Sequence, residues 1–225
     1  MDAYARFVEL VSGPDEALPL DEAALCIAAH ADPSVDVGAN LARLDDLAAA
    51  CPAPTLDGLV QHLFRHEGFT GNSSDYYDPR NSLLHEVLER RLGIPITLSV
   101  VALEVGRRIG VPLSGVGLPG HFLLRDKVDE RVFIDPFHGG RLLDEAACRR
   151  LHRTMAGAES RWDPSYLLPV SRRSIVLRML GNLKAIYLRR ADVTSLAWVL
   201  RLRSVVPGAT EAERKAYSRL MARYN

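Results

Sequence analysis

Cysteine is scarce in this 225-residue chain: Cys26, Cys51 and Cys148 are odd in number and widely separated, with no Cys-x-x-Cys pair. That excludes a disulfide framework and a thiolate zinc cluster as organising devices, and makes a reducing cytoplasm the expected location. Long apolar runs are also missing. The longest, Ile96 to Val105, is far too short to cross a bilayer, so no membrane partner is expected. The Met1 start lacks the basic-then-apolar pattern of a secretory leader. Internal repeats, low-complexity tracts and flexible linkers are absent as well. What remains, 48% hydrophobic and 25% charged residues, is enough to build a sizeable core.

Net charge is zero, yet its distribution is lopsided. Residues 1–70 hold 12 acids and 3 bases, residues 71–170 hold 13 of each, and residues 171–225 hold 3 acids and 12 bases. A basic end suits an acidic protein partner or nucleic acid. No nucleic-acid motif or basic-aromatic interleaving accompanies it, which favours attraction between the two ends, or solvated faces.

Residues 1–70 read as a helical segment. Tyr4, Phe7, Val8 and Val11 share one helical face, stopped by Gly13-Pro14. A shorter helix is expected from Asp21 to Ala29, and Leu41, Leu44 and Leu47 mark a third. Thr55 can cap a fourth, striped by Leu56, Leu59, Val60, Leu63 and Phe64. His62 and His66 stand four apart on it, a spacing that metal sites use, but with no third ligand nearby they read as surface histidines.

Residues 71–170 form a central segment of different character. A turn-rich stretch, Gly71 to Asn81, leads to a helix capped by Asn81 or Ser82 and ended by a left-handed Gly93. Pro95 suits the first turn of the next helix, whose core positions are Leu98, Val101, Ala102, Val105 and Ile109. LSGVGL, HFLLR and RVFID then read as short strands. The last two are expected to pair as an antiparallel hairpin that brings His121 beside Asp135. After Gly139-Gly140 the chain is expected to return to helices. In residues 171–225, Val176, Met179, Leu180, Leu183 and Tyr187 stripe one helix, Leu196, Val199 and Leu200 a second, and a third is expected from Thr210 to the end. This tail fits a tetratricopeptide-like unit, which must lay its apolar face on the central segment or on a partner.

A helix followed by a strand carrying His and a strand ending in Asp-Pro is the order of a papain-like site. There, a cysteine at the helix terminus supplies the thiolate, the histidine carries the proton and a third group orients the ring. The run Tyr76-Tyr77-Asp78-Pro79, Asn81-Ser82, Gly93-Ile94-Pro95-Ile96, Pro119-Gly120-His121-Phe122 and Ile134-Asp135-Pro136-Phe137 with Gly139-Gly140 closely resembles the SirB-type branch of the transglutaminase-like superfamily. Arg178-Met179-Leu180 with Asn182-Leu183-Lys184 is similar to the opening of the tetratricopeptide-like helices that this branch carries. The resemblance covers roughly residues 36–210. It implies an α+β fold with a papain- or transglutaminase-like core, a helix packed on a small antiparallel sheet, flanked by helices on both sides.

Active members open that helix with Gly-x-Cys, whereas this chain reads Gly93-Ile94-Pro95. Proline offers no nucleophile. Ser99 shares its helical face one turn on, about 6 Å further along the axis, and is the weaker substitute. It also suits a buried serine bonded to the preceding turn. His121 and Asp135 are then either a residual dyad for ligand binding or acid-base work, or a structural hydrogen bond. His138 is a further possible metal ligand, though its glycine-rich turn suits an ordinary loop histidine. Tyr76, Arg80 and Asn81 are candidates for ligand contact from a polar loop. No cofactor and no metal are expected. The expectation is a non-catalytic protein that engages a protein partner through its cleft or basic tail. The alternatives are a hydrolase or acyltransferase using His121 and Asp135 with Ser99 or water, and nucleic-acid binding through the tail.

Overall fold

The computed structural model describes residues 2–157 and 159–222. Four helices open the chain: α1 (Ala3–Ser12), α2 (Leu20–Ala31), α3 (Val37–Ala49) and α4 (Leu56–Gln61). Their starts are fixed by side-chain oxygens that satisfy otherwise unpaired backbone N–H groups: Asp2 for α1, Asp36 for α3 and Thr55 for α4. The expected stripes are buried at Phe7 and Val11, at Leu44 and Leu47, and at Leu59, Val60, Leu63 and Phe64. One feature was not legible: α4 continues through His62–His66 as a π-helical turn. His62 is buried there, with Nε2 2.8 Å from the Leu47 carbonyl oxygen. His66 is exposed, so the two imidazoles share no face.

The central segment runs β1 (Thr70–Gly71), α5 (Leu84–Arg90), β2 (Leu92–Gly93), α6 (Pro95–Ile109), β3 (Leu113–Val116), β4 (Leu123–Asp126), β5 (Phe133–Asp135), β6 (Arg141–Leu143) and α7 (Glu145–Ala156). Three expectations need correction. Neither Asn81 nor Ser82 caps α5; they sit in a 3-10 turn, Pro79–Ser82, and Leu83 holds the cap position. The helix ends at Arg90 with Arg91, not Gly93, in the left-handed conformation at φ 60°. Gly93 instead belongs to a short parallel pairing of β1 with β2. Finally, the Gly139-Gly140 turn leads first into β6, which pairs antiparallel with β5, and only then into helix.

The main sheet is antiparallel in the order β3-β4-β5-β6, and the β4–β5 hairpin forms as expected. Its alternation explains why the strands read as nearly unbroken apolar runs, since both faces are covered. Phe122, Leu124 and Ile134 join the main core with Leu98, Val101 and Val105 of α6. Leu123, Phe133, Val116 and Leu143 turn to a smaller second core with Ala147 and Cys148 of α7 and Leu167. Each fully buried leucine or phenylalanine contributes about 1.5–3 kcal/mol.

The tail comprises α8 (Arg172–Arg189), α9 (Val193–Val205) and α10 (Glu211–Met221). The third helix expected from Thr210 to the end is α10, and residues 223–225 lie outside those described. Helix α8 packs on α2 and α6, and Val176, Met179, Leu180 and Leu183 belong to the main core that begins at Phe7. The first and last segments of the chain meet directly. Asp15 accepts the backbone N–H groups of Arg172 and Arg173, both at 2.9 Å, and Arg172 lies 3.2 Å from Glu104. The chain is therefore α+β, with helices before and after a small antiparallel sheet.

Candidate functional site

The site is built where β5 ends. Asp135 closes the strand, and the 3-10 turn Pro136–His138 follows at once. Gly139 and Gly140 have φ of 68° and 72°, conformations that side chains resist. At Gly140 a Cβ would also meet the Phe64 ring at 2.3 Å, so glycine is required twice over. This turn folds His138 back onto Asp135. His121 arrives from the loop before β4, two residues ahead of the strand.

The sequence pair is thus adjacent in space: His121 Nε2 lies 2.8 Å from Asp135 Oδ1. A third member joins it, because His138 Nδ1 lies 2.7 Å from Asp135 Oδ2. Both carboxylate oxygens therefore face an imidazole. Burial pushes the Asp135 carboxyl up, but hydrogen bonds and charge from His121 and His138 outweigh it, leaving the group below the usual carboxylate range. His121 is 1% exposed, and its Nδ1 is buried with no hydrogen-bond partner among the described residues. Phe137 stands edge-on to the imidazole at 6.0 Å. Access differs sharply between the two rings, for the His138 side chain is 51% exposed.

Arg178 on α8 was quoted in the sequence without a role. Its guanidinium donates to the carbonyl oxygens of Leu118, at 2.9 Å, and of His121, and it stacks over Phe122 at 5.3 Å. Burial pulls it below its usual pKa. The tail thereby pins the loop that delivers His121. The resemblance of the tail includes Arg178 but gives it no role.

The helix start opposite is occupied differently. Pro95 is the first residue of α6, as its missing N–H suits. Thr97 Oγ1 donates to Asn81 O at 2.6 Å and accepts from Ile94 N at 3.2 Å. Ser99 is fully buried and its hydroxyl donates to Pro95 O at 2.8 Å. That geometry counts against Ser99 as a nucleophile, since its proton is engaged within the helix and it forms no hydrogen bond with His121. Asn81 is also fully buried, with its amide donating to Asp75 O at 2.7 Å and its oxygen accepting from Asn72 at 3.1 Å. It therefore ties the polar loop down and departs from the expected ligand contact. Arg80 is exposed but paired with Asp78 at 2.7 Å, and Tyr76 is packed edge-on against Phe137 at 5.8 Å. The thiols are no nearer to service. Burial pushes Cys148 up to about 12 and Cys26 up to about 11, and Cys51 donates to Ala53 O.

A helix start, a His-bearing loop and a strand ending in Asp, joined through one core, define a transglutaminase-like protein. The chain belongs to the transglutaminase-like superfamily, whose family pattern matches residues 29–181, from α2 into α8. Among its relatives is a UPF0162 protein of Xylella fastidiosa, 42% identical over 193 residues that cover 79% of this chain and 68% of that one. A UPF0162 protein of Pseudomonas aeruginosa is 35% identical over 177 residues, covering 75% and 64% respectively. F-box only protein 21 of Mus musculus is 36% identical over 140 residues, which cover 57% of this chain but 21% of that protein. The chain thus spans about two thirds of the length of these bacterial relatives. No solved structure matches. No helix among the described residues is long and apolar enough to cross a membrane.

Proposed function

We propose that this chain is a SirB-type, non-catalytic member of its superfamily, in which the scaffold of an acyl-transferring enzyme serves as a protein-interaction or regulatory unit. One observation carries the reading: at the start of α6 the position of the nucleophile is Pro95, and the hydroxyls nearest to it in sequence, Thr97 and Ser99, are engaged by backbone carbonyls. His121 and Asp135 then serve chiefly as a buried tie across the hairpin. The alignment with F-box only protein 21 adds support, because a domain that recurs within a much longer chain behaves as a transferable module. In this reading α8 to α10 are the tetratricopeptide-like helices of the SirB-type pattern, and their outer face is where a protein partner docks.

The rival hydrolase or acyltransferase needs a nucleophile or water at a histidine that is almost wholly buried. The nucleic-acid alternative is weakened by the engagement of tail arginines: Arg172 with Glu104, Arg173 with Val11 O, Arg189 over Tyr77 and Arg201 over Tyr4. The full chain, offered activated esters and a glutamine peptide with an amine acceptor, is expected to turn over no faster than His121→Gln. Turnover that the substitution abolishes would overturn the non-catalytic reading. Partner binding is checked separately, by proteins that co-purify with the full chain and are lost when Leu188, exposed on α8, is changed to Glu.

A further inference from the structure

A tie between β4 and β5 requires one imidazole on Asp135. This chain supplies two, and the second is half exposed. We propose that His121, Asp135 and His138 form a binding site for one divalent transition-metal ion of the zinc class. One ligand atom from each residue lies within 4.8 Å of the others, and among the described residues no other set of three such donors is this close.

The donor set selects the ion. Two imidazole nitrogens and one carboxylate oxygen suit zinc and its first-row neighbours, whereas magnesium and calcium take oxygen ligands. Bonds of about 2.0–2.1 Å in a tetrahedral site hold donors about 3.3 Å apart. The two contacts to Asp135, at 2.8 and 2.7 Å, must therefore open by about half an ångström, while the two rings draw closer. His138 is placed to make that adjustment, being exposed and carried on a glycine turn. His121 is not, being held by Phe137 on one side and, through its carbonyl, by Arg178. On binding, each imidazole presents to the ion the nitrogen that now faces Asp135 and carries its proton on the nitrogen facing away.

The ion also has a way in. A cavity of about 270 Å³ opens beside Asp135 and His138 against α7, lined further by Arg141, Arg150, Leu151 and Thr154. It supplies the position that three protein ligands leave open. With two guanidinium groups on its wall, that position favours water or an anionic group as the fourth ligand. This inference goes beyond the interaction reading, and its test reads metal affinity rather than turnover or partner capture.

The experiment titrates chelator-treated full-length chain with Zn²⁺ by calorimetry and with Co²⁺ by visible absorption. One Zn²⁺ per chain is expected, together with the intense d–d bands of four- or five-coordinate Co²⁺. His138→Ala, an exposed change that leaves the circular dichroism unaltered, is expected to weaken Zn²⁺ binding at least about tenfold and to erase those bands. Asp135→Asn checks the same site from its buried side. Binding that His138→Ala leaves unchanged would overturn the proposal by placing the ion elsewhere, for instance on exposed His66. Failure of the unmodified chain to bind a stoichiometric ion would overturn it outright.

Discussion

At the start of α6, Thr97, Ser99 and Asn81 all direct their polar atoms to backbone or amide partners. The end of β5 differs: Asp135 gathers two imidazoles, and His121 keeps a buried nitrogen without a hydrogen-bond partner among the described residues. Both regions are buried and both are polar, yet only the strand end brings two imidazoles to one carboxylate. In the non-catalytic reading proposed above, the absence of a nucleophile at Pro95 leaves the pairing of His121 with Asp135 in place. The hydroxyls of the helix start are tied to backbone carbonyls, while the strand end holds the three donors of the proposed metal site.

The sharpest way to break the comparison is Asp135→Ala. It strands His121 in the core and is expected to destabilise the chain by about 3–4 kcal/mol in urea unfolding. A loss under about 1 kcal/mol would mean that the strand end is not the tightly coupled buried pair described. Asn81→Ala, which unties the loop from the helix start, is expected to cost about 2–3 kcal/mol by the same measurement. Thr97→Val, which removes the hydroxyl from the N-terminal turn, is expected to cost about 1 kcal/mol. Ser99→Ala should stay within about 1 kcal/mol, because its helix carbonyl partner already has an intrahelical bond. A larger effect would give Ser99 a role its present contacts do not explain.

The last test is a pH dependence near the helix start. Burial raises the Asp78 carboxyl, but hydrogen bonds and charge from Arg80, with further charge from Arg90, outweigh it and leave the group below its usual range. A depressed folded-state value means that the stabilisation is present above the unfolded value of about 3.9 and is lost as pH falls through the folded one. The difference in stability between the native chain and Asp78→Asn is therefore expected at neutral pH and should close below about pH 4. A gap that persists unchanged into acid would assign it to shape rather than charge.

Local patterns carried much of this architecture. Phe7 and Val11, the Thr55 cap, Pro95 at the first turn of α6 and the hairpin between β4 and β5 were all legible, because each depends on neighbours in sequence. What escaped depends on distant ones. β6 is three residues whose strand character comes from β5, and the β1–β2 pairing joins segments 22 residues apart in register. Gly71 gave no signal of its own; its hydrogen stands where a Cβ would meet the Phe137 ring at 2.4 Å. At the site, spacing pointed to His121 and Asp135, but His138 read as a loop histidine because its approach to Asp135 is set by the backbone of two glycines. Asn81 looked like a surface residue because its burial is created by Asn72, Asp75 and α6 together.

The contact of Arg178 with the His121 loop fixes an order of events during synthesis. That arginine follows His121 by 57 residues, and Arg172 meets Asp15 across 157. A chain leaving the ribosome exposes α2, α6 and the hairpin well before α8 arrives to cover them and to fasten the loop. Contacts of such long range slow folding and lengthen the time during which apolar faces stay open to wrong partners. The loop that carries His121 is thus fastened only after α8 has been made.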